Sequence, residues 1–334
     1  MSKVKKIFNA PARIVDETLD GLVALSNGAV VREGMWPVLR RSVKRTGKVA
    51  LVIGGGSGHE PMYTAFVGEG FADASVAGEI FAAPSPDQIA VAARAVDTGK
   101  GVLFVFGNYA GDVMNFEVAS EILAEEGIRC ATSLVADDAA IADPDLKRGI
   151  AGAVYQVKLA AWACEHLDTL DEVLAFVETA KKNLSTFGVA VRAGSLPHTG
   201  TPTFEIGDDE IEIGMGMHGE RGVKRQKLPL ADDLTAEITD HLVADLNLKA
   251  GDEIAVLLDN FGSATYAELM IVNRKMRMIL NERGIVVSRF DIGAYFTCQE
   301  MSGFSLSFLR LNPDLKVALN APAYVPGVGQ FGGV

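Results

Sequence analysis

The sequence predicts an α/β fold on three observations. Short β-branched runs alternate with longer helical patterns from Lys48 onward, glycine-rich turns follow the strands, and no run of about 18 apolar residues could span a bilayer. In chain order, KVALVI (48–53) reads as a buried strand, followed by GGGSGHEPM and a short helix. GVLFVF (101–106) is the next strand. It leads through GNYAGD (107–112) into the helix VMNFEVASEILAEEG, which stops at Gly127 as a C-cap glycine dictates. IRCATSLVA (128–136) is a third strand, and 150–185 carry a helical pattern with few breakers that closes a first domain. Beyond it VAVRAGSL, TFEIG, EIEIGMGMHGE and FSLSFLRL read as short alternating strands. One helix over 264–283 lies between the strands EIAVLLDN and IVVSRFDIGA. The expected division is an amino-terminal parallel-sheet α/β domain over 1–186 and a β-richer α/β domain over 187–334.

Charge and cysteine usage narrow the function. A net charge of −12, with no Lys/Arg stripe interleaved with aromatics, repels a polyanion and argues against nucleic acid. The three cysteines, Cys130, Cys164 and Cys298, are scattered, which fits neither a disulfide framework nor a CxxC metal site. The amino terminus MSKVKKIFNAPARIV lacks the apolar core of a signal peptide. The expectation is a cytoplasmic protein with reduced thiols and no membrane partner.

Two glycine-rich turns and the histidines hold the chemistry. In Gly54-Gly55-Gly56-Ser57-Gly58-His59-Glu60-Pro61, glycines tolerate positive φ and leave backbone N–H groups uncovered, so the loop is either a tight strand-to-helix turn or a cradle for an anion or small polar ligand. It is not a Walker A loop, since GK[ST] is missing, and His59 stands where GxGxxG needs its last glycine. Asp112 closes GNYAGD at the position of a helix N-cap, and a cap can also be catalytic. His218 lies in GMGMHGERG, where Gly214, Gly216 and Gly219 remove neighbouring side chains and leave an imidazole open to close approach. The competing reading is a packed core histidine. His59 and His218 have no third His or Cys at ligand spacing, so no metal site is expected. His166, His198 and His241 read as surface or loop residues.

The motifs GGGSGHEPM, GEIFAAPSPDQI, GNYAGDVMNFE, GMGMHGE and AYFTCQEMSGFSLSFLRL, in this order and spanning nearly the whole chain from about Ile14, resemble the substrate-binding (DhaK-like) subunit family of dihydroxyacetone kinases. The resemblance implies a two-domain homodimer that binds a short ketose covalently, His218 adding a ring nitrogen to the carbonyl to form a hemiaminal. It implies that His59 and Asp112 accept the proton of the hydroxyl to be phosphorylated. Gly55, Gly56, Ser57 and Gly58, together with Gly107 and Ala83, would touch the sugar. No cofactor is expected on this chain. Mg-ATP, or tightly held Mg-ADP as phosphoryl carrier, belongs to a separate nucleotide-binding (DhaL-like) subunit, and the expected phosphotransferase is active only with that partner because the chain ends at Val334 without such a module.

The sequence departs from the family where Gly107 replaces a common lysine, Ala83 a small hydroxyl residue and Arg221 the proline of HGEPG. The first two suggest a wider pocket and a ketose larger than dihydroxyacetone, such as erythrulose. The alternative to the kinase is a non-catalytic ketose sensor or coregulator of the same fold. A nucleotide-dependent oxidoreductase fails on the glycine spacing.

Overall fold

A computed structural model describes residues 4–331. The chain forms two compact units. The first comprises Ile7–Val135, Ala153–Lys181 and the segment from Asp314; the second comprises the amino-terminal segment through Lys6, Ala136–Gly152 and Lys182–Pro313. This partition differs from a single division at 186/187, and backbone pairing is the reason. The 136–152 segment bonds to the second unit's first strand through Thr186 N–H to Asp137 O and Ala139 N–H to Thr186 O, both 2.8 Å. The chain's last segment returns to the first unit, where the buried Lys158 donates to Ala318 O at 3.2 Å and Tyr324 N–H to Glu69 O at 2.8 Å.

The elements in chain order are α1 (Ile14–Leu25), β1 (Val30–Arg32), β2 (Val38–Arg41), β3 (Ala50–Ser57), β4 (Ala74–Ile80), α2 (Pro86–Val96), β5 (Val102–Gly107), α3 (Ala110–Glu125), β6 (Cys130–Val135), α4 (Ala153–His166) and α5 (Leu170–Lys181). They continue with β7 (Leu184–Arg192), β8 (Glu210–Ile213), β9 (Lys224–Lys227), α6 (Ala231–Asp245), β10 (Glu253–Asn260), α7 (Tyr266–Glu282), β11 (Val286–Gly293), β12 (Ser302–Arg310), α8 (Pro313–Asn320), β13 (Ala323–Val325) and β14 (Gly329–Phe331).

In the first unit a six-stranded sheet has the order β1-β2-β4-β3-β5-β6. Strands β4, β3, β5 and β6 are parallel, and the short β2 and β1 add an antiparallel edge, so the sheet is mixed rather than purely parallel. Helices α2 and α3 cover one face with Ile89, Ala93, Phe116 and Ala119. Phe116 stacks on Phe106 of β5 at 3.9 Å. Helix α2 starts in a capping box, with Ser85 and Gln88 satisfying each other's backbone N–H and Pro86 in the first turn. The glycine run differs from its reading as a loop: β3 continues through Ser57, and turns rather than a helix follow over 60–65.

In the second unit the order is β11-β10-β12-β7-β8-β9, parallel only between β10 and β11. Helices α6 and α7 bury Ile238, Leu242, Met276 and Leu280 against Val256, Leu306 and Phe308. Only the second of these helices was expected as an element of the domain. TFEIG is not a strand, because Thr203 N–H is spent on the loop carbonyl of Gly194 at 2.9 Å.

The opposite face of this sheet is buried and polar, carrying Thr186, Asp259, Ser305 and Ser307. Asp259 Oδ1 accepts the N–H groups of Tyr295 at 2.8 Å and Phe296 at 3.0 Å, whereas Oδ2 and the hydroxyl of the cross-strand Ser305 have no partner. Burial pushes the Asp259 carboxyl well above its ordinary value, against the pull of those two N–H groups. A carboxyl whose folded pKa lies above its unfolded one costs stability progressively as pH rises through the unfolded value near 3.9 and upward to the folded one. Asp259→Asn removes that cost. Thermal melts should show the variant melting higher by roughly 2–4 °C at pH 8, the shift that about 1 kcal/mol gives in domains of roughly 150–250 residues. The difference should vanish below about pH 4; a lower melting point at pH 8 would contradict the assignment.

Candidate functional site

In the first unit the carboxyl ends of β3, β4 and β5 converge, with β4 and β5 flanking β3 on opposite sides, the topological switch point at which open α/β sheets bind ligands. The candidate site residues of the first unit, the Gly55–His59 run, Ala83, Gly107 and Asp112, lie here. A Cβ on Gly54 would stand 3.0 Å from Phe116, one on Gly55 2.8 Å from the Tyr63 ring, and one on Gly56 2.8 Å from Ala82 N. The glycines therefore admit the protein's own Tyr63 and the 81–83 turn against the strand. They do not leave an open anion cradle. The Gly58 N–H is likewise taken by Glu60, whose carboxylate oxygens lie at 2.9 and 3.1 Å, so an external phosphate would meet a carboxyl there. Burial pushes that carboxyl up, while the Gly58 N–H pulls it down.

Ser57 Oγ donates to Gly78 O at 2.7 Å, and Phe81 N–H donates to Ser57 O at 2.8 Å, tying the end of β3 to the turn after β4. Phe81, in the left-handed region at φ 58°, lays its ring 5.0 Å from the imidazole of the buried His59. Ala83 faces the start of α3, its Cβ 3.5 Å from the Cβ position of Gly111. Asp112 is not the N-cap expected from GNYAGD. Extended Tyr109 occupies that position without a side-chain cap bond, and Asp112 lies in the first turn, buried, where the helix dipole favours a carboxylate. The void expected at Gly107 is also absent: a Cβ there would run into the Tyr109 ring at 2.9 Å and stand 3.4 Å from the Tyr63 hydroxyl. Tyr109 has taken the space, which removes one of the two grounds for a larger sugar.

His218 belongs to the second unit, in the turn after β8. Its Nδ1 is 2.8 Å from Glu220 Oε1, and its backbone N–H donates to Glu220 Oε2 at 2.8 Å, so one carboxylate grips ring and main chain together. Burial alone would push the Glu220 carboxyl up. The hydrogen bond and charge of the His218 ring outweigh this and lower it to about 2. When the ring is neutral, Nδ1–H donated to the carboxylate leaves the lone pair on Nε2. Three-quarters of the imidazole is covered. The glycines act differently from the open cage read in the sequence. A Cβ on Gly216 would collide with the Glu220 carboxylate and stand 2.8 Å from Arg148, which ties the turn down by donating to Gly214 O at 2.7 Å. The room at Gly216 serves the orienting carboxylate, whereas Gly214 admits Ala140 and Val223.

His166 Nδ1 bonds Trp162 O and its ring stacks on Trp162; His241 bonds Ala139 O; His198 is exposed in a loop. Among the described residues no group of three His, Cys, Asp or Glu could hold a metal ion, and no helix is long and apolar enough to cross a membrane.

Residues 20–327 match the Dak1 domain. The chain belongs to the Dak1 domain family. Within it, the dihydroxyacetone-binding subunit DhaK of PTS-dependent dihydroxyacetone kinase 2 from Listeria innocua is 37% identical over 97% of this chain and 98% of its own length. A D-erythrulose kinase of Mycolicibacterium smegmatis is 38% identical over 97% of this chain, which spans 57% of that protein. Among solved structures, a co-activator of a dihydroxyacetone kinase operon, DhaQ, superposes with a TM-score of 0.87 at 27% identity, covering 92% of this chain and 96% of that one. This Dak1 chain accordingly belongs with the DhaK-like dihydroxyacetone-binding and kinase subunits and has the two α/β domains of its relatives. Sequence reasoning missed Glu220, Tyr63 and Tyr109. The His-x-Glu spacing in HGE was the available signal for the first; no local pattern marks the two tyrosines.

Proposed function

We propose that this chain holds a short-chain ketose as a hemiaminal on His218 while a terminal hydroxyl is phosphorylated from a donor on a separate nucleotide-binding subunit. The observation that carries the reading is the Glu220 grip on Nδ1, which supports Nε2 as the nucleophile. As Nε2 bonds to the carbonyl carbon, the C=O π bond opens, the ring becomes cationic and the oxygen takes up a proton from solvent water. The Glu220 carboxylate is the counter-charge at 2.8 Å, ionised down to about pH 2. A polyol offers no carbonyl, so the anchor selects ketoses and aldoses. Asp112 and His59 accept the proton of the attacking hydroxyl. Mg-ATP or Mg-ADP on the partner supplies the phosphoryl group, and the name of the Listeria relative, a subunit of a PTS-dependent kinase, supports a donor outside this chain. The D-erythrulose kinase supports a substrate range of three to four carbons. The protein is read as a cytoplasmic homodimer.

The likeness to the operon co-activator favours a second reading, a ketose sensor without turnover. A sensor has no use for a buried proton acceptor at the start of α3. Turnover decides between them. With Mg-ATP, or with phosphoenolpyruvate and the phosphotransferase proteins, the purified chain should phosphorylate neither dihydroxyacetone nor erythrulose until a nucleotide-binding kinase subunit is added. Turnover by the chain alone, scaling with its concentration, would overturn the two-component reading. Ketose binding without turnover under any donor would favour the sensor.

A further inference from the structure

Lys6 precedes every strand and helix yet is firmly held in the second unit. Its Nζ donates to Gln299 Oε1 at 2.9 Å and pairs with the Glu300 carboxylate. The same carboxylate accepts the hydroxyl of the buried Ser195, and the Glu300 carbonyl accepts Ser263 Oγ at 2.9 Å. Burial alone would push the Glu300 carboxyl up; the Lys6 and Ser195 hydrogen bonds hold it below the ordinary range. None of these groups has a part in the chemistry above.

Their contacts run continuously to His218. A Cβ on Gly194, next to Ser195, would stand 2.8 Å from Cys298 O and 3.1 Å from Met301 N, so the two segments meet backbone to backbone. The Gly194 carbonyl accepts Thr203 N–H at 2.9 Å and its hydroxyl at 3.4 Å. Thr203 and Phe204 then press on Gly219, where a Cβ would lie 3.2 and 3.1 Å from them, and Gly219 is the residue between His218 and Glu220. The buried Cys298 thiol, pushed up by burial and then by the Glu220 and Glu300 carboxylates, lies in the field of both.

We infer that Glu300, clamped by Lys6 and Ser195, is a positioning residue that sets the orientation of the His218–Glu220 pair. Its kinetic consequence rests on His218 being the ketose anchor; its structural consequence does not. A reacting group displaced by about 1 Å loses up to roughly 10²-fold in rate, so the clamp makes the amino-terminal arm part of the site's alignment. The test uses Lys6→Met and Glu300→Gln in the full chain, with Lys6→Arg as the conservative control. Two quantities are read: the His218 ring nitrogens by 15N–1H NMR without sugar, and the association constant for the ketose adduct. Both variants should shift or broaden the His218 signals and weaken the adduct by roughly 5- to 20-fold, with a cooperative melt retained and Lys6→Arg within about twofold of the parent. Unchanged ring signals and adduct constants in both variants, whatever the melting point does, would overturn the inference. If the parent forms no adduct, the anchor reading falls and the ring signals alone decide the clamp. Should Lys6→Met fail to fold, Glu300→Gln decides, because it keeps the shape of the side chain while its single amide oxygen can accept from only one of Lys6 and Ser195.

Discussion

Asp112→Asn should reduce ketose phosphorylation by about 10²–10⁴-fold, the usual contribution of a positioned base, while leaving ketose binding intact. The substitution keeps the shape of the side chain in the first turn of α3 and removes its charge, and with it the ability to take a proton. Helix α3 should start as before, since the extended Tyr109, and not Asp112, occupies its N-cap. The prediction therefore separates chemistry from structure. Steady-state kinetics with the nucleotide-binding partner, paired with ketose titrations in its absence, would show a fall in kcat at nearly constant affinity. Loss of binding and turnover together would assign Asp112 a structural role.

Glu220→Gln should have the second large effect, a loss on the order of 10²–10⁴-fold in turnover, as when a histidine loses the carboxylate that fixes its tautomer. Glutamine still accepts from the His218 main chain but carries no charge, and its amide N–H can donate to Nδ1 and move the ring proton to Nε2, removing the nucleophilic lone pair. Unlike Asp112→Asn, this variant should lose the covalent adduct as well as turnover. Full adduct formation in Glu220→Gln would show that the carboxylate does not orient the ring.

The alternation of β-branched runs with helical patterns revealed β3, β5, β6, β10, β11 and β12 because each carries a continuous or alternating apolar run, buried in β3, β5, β10 and β12 and partly buried against the cores in β6 and β11. The short strands β1, β2 and β9 were not legible: each is three or four residues long and is defined by its neighbours. Helix α2 was legible in Ser85-Pro86-Asp87-Gln88, a capping box with proline in the first turn, but passed unread. The glycine runs were found and misread for one reason. Glycine declares that something approaches the backbone closely without saying whether it is a ligand or the protein itself, and at Gly55, Gly56, Gly107 and Gly216 the visitor is Tyr63, the 81–83 turn, Tyr109 and Glu220. Lys6 and Glu300 pair across 294 positions, a separation at which no sequence pattern operates.

The bond between His218 and the sugar can be observed at the carbon that it changes. Carbon-13 NMR of the chain with dihydroxyacetone or erythrulose labelled at the carbonyl tests it directly. The ketone signal of bound sugar should be replaced, one per chain, by a tetrahedral carbon that is absent with His218→Ala. A bound sugar that keeps its ketone signal, or a tetrahedral signal that persists in His218→Ala, would contradict it.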